Sequence, residues 1–343
     1  MKIAVLVDPH FPVPPKKYGG SERSVAYLIE GLVALGHDVT LFGSGNSSVS
    51  CRLIPCSQEN IDIGHDKTLI ERFLQAKKRN IQNIIQRQDE FDVVSWHGHM
   101  DALMQRIHIP VLFTIRNPLS FSATPYQQKI LNKMKNVYIN ALSKKYMEVF
   151  KKIPYFTYIY NGLPAEKFPF SEKTEGYISF IGKFSKSKQP HLALQTAMSL
   201  NKNIVIGARL DRYGKEYFDK KCKQYMDSPL VDFRGEVTEE EKKEIFKFAE
   251  VNLHPVSFDE PFGLSVVEAG LCGTPTIAFD KGSMRELITD GVSGYIVKNV
   301  EEMIAFYPKA LRLDRKKVRA HFMKFNQKEM ARKYAEIFEE IIL

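Results

Sequence analysis

Two glutamates and a cluster of lysines carry most of the chemistry that can be read from this sequence. Glu260 and Glu268 are separated by seven residues in Ser257-Phe258-Asp259-Glu260-Pro261-Phe262-Gly263-Leu264-Ser265-Val266-Val267-Glu268. A short apolar run, Val251 to Leu253, gives way there to an acidic loop, and a helical pattern begins near Phe262 or Gly263. A helix start offers unpaired amides to an anion, and Glu268 falls about a turn and a half inside. Earlier, Gly182-Lys183-Phe184-Ser185-Lys186-Ser187-Lys188 sets three ammonium groups directly after another apolar run. Loop lysines are usually solvated, but three of them together neutralise a diphosphate. Carboxylates repel phosphate and are strong acceptors for sugar hydroxyls. Lysines, helix amides and two glutamates together suit a nucleotide sugar.

Other motifs are weaker taken singly. Tyr18-Gly19-Gly20-Ser21-Glu22 stands at a helix entrance, where two glycines let an anion approach the backbone; a simple turn is the competing reading. His97 ends the run Asp92-Val93-Val94-Ser95-Trp96-His97, as either a structural or a functional residue. Gly43-Ser44-Gly45 follows the second apolar run, lacks the third glycine of a dinucleotide fingerprint and reads as a loop. Cys51 and Cys56 have no matching Cys or His pair for a zinc site and read as small apolar residues on or beside a strand.

The elements that must position these residues alternate along the whole chain. Ile3–Val7, Val39–Phe42, Val93–Trp96, Val111–Ile115, Val137–Leu142 and Phe156–Tyr160 read as strands. Between the first two, Val25, Leu28, Ile29, Leu32 and Leu35 fall at helical spacing. The rhythm restarts with Tyr177–Ile181, Ile204–Ile206, Val231–Phe233, Val251–Leu253, Thr276–Phe279 and Tyr295–Val297. Thr238-Glu239-Glu240-Glu241 is a capping box opening a helix towards Ala249, and beyond about 300 the pattern is helical. Two α/β, doubly wound domains follow from this: residues 1–165, and residues 176–310, with a hinge in the Leu163 to Gly176 stretch.

Composition excludes several classes. With 44% hydrophobic and 26% charged residues over 343, the chain is globular and large enough for two domains. No apolar run approaches the roughly 20 residues that span a bilayer, and the N-terminus lacks a signal-peptide core. Four scattered cysteines do not make a disulfide framework and fit a reducing, cytoplasmic setting. Of the net charge of +9, residues 1–162 hold +7, from 20 Lys and Arg against 13 Asp and Glu. No nucleic-acid-binding pattern accompanies that excess. It reads either as a solvated surface or as a face for an anionic acceptor or membrane, the second peripheral to the inner membrane face, with Lys16, Lys17, Lys144, Lys145, Lys151 and Lys152 as contacts.

Glu260 and Glu268, framing Pro-Phe-Gly-Leu, resemble the signature of glycosyltransferase family 4, the retaining transferases of GT-B fold. Tyr18-Gly19-Gly20-Ser21-Glu22-Arg23 resembles the family's N-terminal glycine loop, and Gly182-Lys183 with Lys188 its diphosphate-binding Gly-Arg and Lys. Asn161-Gly162, Gly273-Thr274-Pro275 and Gly291-Val292-Ser293-Gly294 continue the likeness over nearly the whole chain. The resemblance implies two Rossmann-like domains facing a cleft, with a C-terminal helix, about 327–343, crossing back to the N-terminal domain. It implies that Glu268 holds the ribose hydroxyls and Glu260 the transferred sugar. Gly263 and Leu264, beside Phe262, would bind phosphate through amides, Val237 would meet the base through its backbone, Gly19 and Gly20 would line the donor site, and His97 would stand near the reaction centre. Two departures are Lys183 where the family usually has Arg, and Arg116, in Thr114-Ile115-Arg116, where a His is common.

The expected activity is retaining transfer of a hexose from a nucleotide diphosphate sugar, with uridine as the expected base, to a glycan, lipid or small-molecule acceptor. The acceptor attacks from the front face in such enzymes, and the leaving phosphate takes its proton. Lys183, Lys188 and the helix amides would stabilise the leaving diphosphate. No Asp-X-Asp occurs in the sequence, which fits a transferase needing no metal and no cofactor beyond its nucleotide-sugar substrate. The rival readings are a nicotinamide-dependent oxidoreductase, against which the missing glycine fingerprint counts, and a non-catalytic sugar-binding protein, which would carry more aromatic platforms than the single tryptophan, Trp96.

Overall fold

The computed structural model describes residues 1–63, 66–116, 134–147 and 156–343. The chain divides into two compact units, Met1–Leu163 with Asn326–Leu343, and Pro164–Phe325. In the first unit the strands are β1 (Lys2–Leu6), β2 (Asp38–Ser44), β3 (Arg52–Ser57), β4 (Val93–Trp96), β5 (Val111–Thr114), β6 (Val137–Ala141) and β7 (Phe156–Tyr158). They run parallel in the order β3-β2-β1-β4-β5-β6-β7. Ile3, Ala4 and Val5 of β1 and Val93 and Val94 of β4 are fully buried, as central strands covered on both faces require. Helices α1 (Gly20–Ala34) and α2 (Lys67–Arg87) follow β1 and β3.

Strand β3 is absent from the sequence reading. It holds Pro55 and is only partly buried, because it lies at the edge of the sheet, where a proline is tolerated and apolar patterning is weak. Gly43 and Ser44, read as loop, are instead the last residues of β2, at a register shift against β3.

The second unit contains β8 (Tyr177–Lys183), β9 (Asn203–Arg209), β10 (Val231–Gly235), β11 (Val251–His254), β12 (Thr276–Phe279) and β13 (Gly294–Val297), parallel in the order β10-β9-β8-β11-β12-β13. Its principal helices are α3 (Pro190–Ser199), α4 (Glu239–Phe248), α5 (Leu264–Leu271), α6 (Val300–Ala310) and α7 (Arg315–Phe322). The capping box forms: the Glu241 amide donates to Thr238 Oγ1 at 3.3 Å and the Thr238 amide to Glu241 Oε2 at 2.7 Å. Helix α5 is pressed against α7 so closely that a Cβ at Gly270 would meet the Phe322 ring at 1.9 Å.

The last helix, α8 (Gln327–Ile342), belongs to the first unit. Its apolar face, Ala331, Tyr334, Ala335, Phe338 and Ile341, is buried, and Ala331 sits where a side chain at Gly31 of α1 would be. Gln327 Nε2 donates to the Tyr27 carbonyl at 2.7 Å, and the Tyr334 hydroxyl lies 3.0 Å from Thr114 Oγ1 and 2.9 Å from Asn140 Nδ2. Among the described residues no helix is long and apolar enough to cross a membrane.

Each sheet reverses its strand order once, at β1/β4 and at β8/β11. In open parallel sheets the crevice for a ligand opens at the carboxyl ends of those strands.

Candidate active site

In the second unit, β8 and β11 deliver their following residues to one edge. Lys183 is the last residue of β8, and Lys188 lies in the turn before α3. Beyond β11, Glu260 is gripped from two sides. His254 Nε2 stands 2.7 Å from one carboxylate oxygen, and Lys188 Nζ donates a short hydrogen bond to the other. Burial alone would raise this carboxyl, but Lys188 and then His254 outweigh it and hold Glu260 well below the usual carboxylate range. Glu260 is therefore ionised at neutral pH.

Helix α5 starts at Leu264, with Gly263 as its N-cap at φ +98° and no side chain capping its first amides. A Cβ at Gly263 would be strained by that φ and would meet Met284 Cε at 2.6 Å. The amides at this end are thus presented to an anion with the positive end of the helix behind them. Phe262 contributes no side chain there: its ring is buried and packs edge-on against Phe325 at 5.7 Å. Glu268, one helical turn further on, is 3% exposed, and Lys242 of α4 donates to it at 2.5 Å. Val237 precedes α4, and its methyls rest on β9 where Gly207 leaves room.

In the first unit the β1/β4 edge carries a second polar group of residues. Gly19 caps α1 at φ +141° without a side-chain cap, and Gly20 is the exposed first residue of that helix. Arg23 ties down the loop ahead of them, donating to the carbonyls of Pro15 at 2.7 Å and Lys17 at 3.0 Å. His97 is 7% exposed, and both ring nitrogens are engaged. Arg116 Nε donates to Nδ1 at 3.0 Å, so Nε2 carries the proton and faces Ser95 Oγ at 2.9 Å. Burial, then Arg116, holds His97 well below its ordinary pKa, so the ring is neutral. Arg116 also donates through Nη1 to Asn161 Oδ1 at 3.2 Å, an oxygen shared with Ser24 Oγ at 2.5 Å.

Several residues at these two edges escaped the sequence reading. Lys242 is silent because only packing between helices brings it onto Glu268, and His254, six residues before Glu260, is silent because nothing in that short interval marks it as the partner of the carboxylate. Arg209 ends β9 and is the register partner of Lys183, which places a guanidinium beside the lysine that replaces the family's arginine. Asp8 follows β1 and accepts from the His99 amide at 2.8 Å and from His99 Nδ1. Glu22 is pushed up to about 7, chiefly by burial, with Arg116 opposing and Asp8 reinforcing the shift. The one available signal was position: each of these residues lies within a few positions of a strand's carboxyl end or a helix start. Lys151 and Lys152, expected as acceptor contacts, lie outside the described residues.

Comparison with known proteins agrees with this arrangement. The family described as Glycosyl transferases group 1 matches residues 165–329, and Glycosyltransferase Family 4 matches residues 18–162. A phosphatidyl-myo-inositol mannosyltransferase of Mycolicibacterium smegmatis is 23% identical over 325 residues, covering 87% of this chain and 81% of that protein. An uncharacterized glycosyltransferase of Methanocaldococcus jannaschii is 24% identical over 341 residues, covering 86% and 84%. Among solved structures, sucrose-phosphate synthase from Thermosynechococcus elongatus aligns with a TM-score of 0.78 at 18% identity, over 99% of each chain. The Anabaena protein HepE in complex with UDP and glucose aligns at 0.73 and 16% identity, over 99% of this chain and 100% of that one. The two parallel Rossmann-like units are those of the GT-B fold, and the chain belongs to glycosyltransferase family 4.

Proposed function

We propose that this glycosyltransferase moves a hexose from a UDP-sugar to an acceptor hydroxyl with retention at the anomeric carbon and without a metal ion. The observation that carries the reading is the pair of buried carboxylates around one helix start. Glu260 lies before α5 and Glu268 within it, each held by a lysine, with uncapped amides between them. A nucleoside diphosphate placed there has its phosphates at the Gly263 and Leu264 amides, its ribose hydroxyls at Glu268 and its base at the Val237 backbone, while Glu260 orients the sugar. Lys183, Lys188 and Arg209 supply the positive charge that a departing diphosphate needs. The anomeric C–O bond to phosphate breaks with its electrons on the phosphate oxygen. The acceptor oxygen bonds to the same face, and its proton passes to that phosphate oxygen.

The complex of Anabaena HepE with UDP and glucose supports uridine as the base. Lys16, Lys17, Lys144 and Lys145 are exposed and form the contact of the first unit with an anionic surface near the acceptor. All four cysteines are unpaired, which suits a reducing compartment. Release of nucleoside diphosphate from a panel of UDP- and GDP-sugars tests the reading, with a thermal-shift screen beside it. A ligand at 100 times its Kd stabilises by about 2.7 kcal/mol. UDP release from a UDP-hexose is expected; preference for GDP-sugars would overturn the base, and inversion in the product's NMR spectrum would overturn retention.

A further inference from the structure

A line of directed hydrogen bonds runs through the interior of the first unit, from helix α1 to strand β4. Ser24 Oγ donates to Asn161 Oδ1 at 2.5 Å, and Arg116 Nη1 donates to the same oxygen at 3.2 Å. Arg116 Nε donates to His97 Nδ1 at 3.0 Å, and His97 Nε2 faces Ser95 Oγ at 2.9 Å. Ser24, Asn161, His97 and Ser95 are all buried. An arginine side chain is long and flexible, and one hydrogen bond at Nε leaves the guanidinium plane free to turn about that contact. A second bond, at another nitrogen of the same rigid plane, removes that freedom. Asn161 supplies the second bond. Because Asn161 is neutral, it fixes the guanidinium without cancelling its charge, and that charge is the second cause, after burial, that keeps His97 unprotonated.

Asn161 is itself held, because the residues that follow it are clamped by the last helix. A Cβ at Gly162 would meet the Asn326 carbonyl oxygen at 2.2 Å and Met330 Cβ at 2.7 Å. The Gly162 amide points to Met330 Sδ at 3.0 Å, the Gln327 amide donates to the Leu163 carbonyl at 2.9 Å, and Leu163 and Asn326 form a parallel bridge. Helix α8 reaches the same pair from a second side through Tyr334. Its hydroxyl lies on Asn140 and on Thr114, two residues before Arg116, and its ring centroid is 6.1 Å from that of His97. Asn140 Oδ1 in this set is buried with no partner among the described residues. A buried polar group without its hydrogen bond costs stability, so an apolar filling would hold the fold better; what the polar set adds is a defined orientation.

We infer that Asn161 is a positioning residue: gripped by the start of α8, it fixes the plane of Arg116 and, through Arg116, the tautomer and direction of the His97 ring. The inference rests on the transferase reading above for its consequence in turnover, whereas the geometry it describes needs no substrate. The last helix of the chain thereby backs a histidine expected beside the reaction centre, although α8 contributes no side chain to the hydrogen-bonded line itself.

NMR of the full chain without ligand is the first test. Arg116→Lys identifies the Arg116 signals, and His97→Gln identifies those of His97 among the nine histidines. In the wild type the Arg116 Nε proton is expected to exchange slowly, the Nη protons to be resolved from one another, and His97 to occupy the single tautomer with its proton on Nε2. Asn161→Ala is expected to average the Arg116 Nη protons and to give His97 a mixture of tautomers. Asn161→Asp, which keeps the acceptor oxygen, is expected to retain the wild-type tautomer. In turnover of the intact donor, Asn161→Ala should lower kcat about ten-fold or more while Kd for UDP stays within about two-fold. A role in stability alone would lower Tm and leave the tautomer as it is. A freely turning Arg116 guanidinium in the wild type, or a folded Asn161→Ala chain with wild-type Arg116 and His97 spectra, overturns the inference. Should Asn161→Ala not fold, the wild-type Arg116 spectrum and the His97 tautomer in Asn161→Asp decide it. A wild-type chain that turns over no nucleotide sugar would refute the transferase reading and leave the spectra to decide the positioning role.

Discussion

Glu260 and Glu268 resemble one another in sequence and in burial, yet their removal should have different consequences. The structure first predicts what the two substitutions share. Glu268 and Lys242 have side chains 4% and 13% exposed, and Glu260 and Lys188 14% and 17%. Deleting one member of a buried pair strands the other, at a cost of about 3–5 kcal/mol. Urea denaturation should therefore show a comparable loss for Glu268→Ala and Glu260→Ala, and ligand effects have to be read on the folded fraction. Affinity for UDP then separates them. Glu268→Ala removes charged hydrogen bonds to ribose worth about 1.5–3 kcal/mol, which raises Kd roughly 10- to 150-fold. Glu260→Ala leaves UDP affinity within about three-fold, or tightens it, because Lys188 is released from its carboxylate and is available to phosphate. Its defect appears in turnover of the intact donor, down about 100-fold, since the sugar is no longer held in line for bond breaking. Lys188→Met in the Glu260→Ala background should restore part of the stability and none of the turnover. Calorimetry with UDP and steady-state kinetics make the measurement. Equal loss of UDP affinity in both variants, or full turnover by either, would refute the division of labour.

The first unit should weaken as pH rises through the titration of Glu22. Burial pushes its carboxyl from the ordinary 4.5 up to about 7, so the stability it contributes is fully present below about 4.5 and is lost as pH rises through about 7. The loss reaches about 3 kcal/mol at most, and Glu22→Gln should flatten it in denaturant titrations at pH 5 and 8; Arg116, Asp8 and His99 are the charges that face this group. Arg209→Ala should raise the Kd for UDP several-fold with little change in Tm, whereas an unchanged Kd would remove Arg209 from the diphosphate site. His97 is held neutral, so the pH profile of kcat/KM should show no limb near 6.5 that disappears in His97→Asn. Gly270→Ala should destabilise the second unit by about 1–3 kcal/mol or more, seen as a lower urea midpoint, because the added methyl overlaps the Phe322 ring.

Much of this was legible because it is local. Buried parallel strands announce themselves as apolar runs, as at Ile3–Leu6 and Val251–Leu253, and α4 declares its start through the side chains of Thr238 and Glu241. Glu260 and Glu268 could be tied to one helix start because the interval between them is covalent. Strand β3 was missed for the converse reason, since an edge strand with Pro55 need not be apolar on both faces.

The partners of those residues depend on contacts that no interval encodes. The three lysines read after β8 are not equivalent in the folded chain: Lys188 also holds Glu260, 72 residues away, and the Lys186 carbonyl accepts from Ser257 Oγ. Arg209 joins Lys183 only through the β8–β9 register, and Lys242 reaches Glu268 only because α4 packs beside α5. Likewise His97 looked like a lone histidine at a strand end, and folding gave it an arginine from just beyond β5 that fixes its tautomer, while burial and then that arginine hold the ring neutral. By itself the sequence determined the strand and helix order, the family and the positions of the two glutamates, since these follow from residue type and short-range spacing. The tertiary structure decided which charges neutralise one another and which buried atoms are left unpaired, because electrostatic pairing is set by distances across neighbouring strands and helices that the chain closes only when folded.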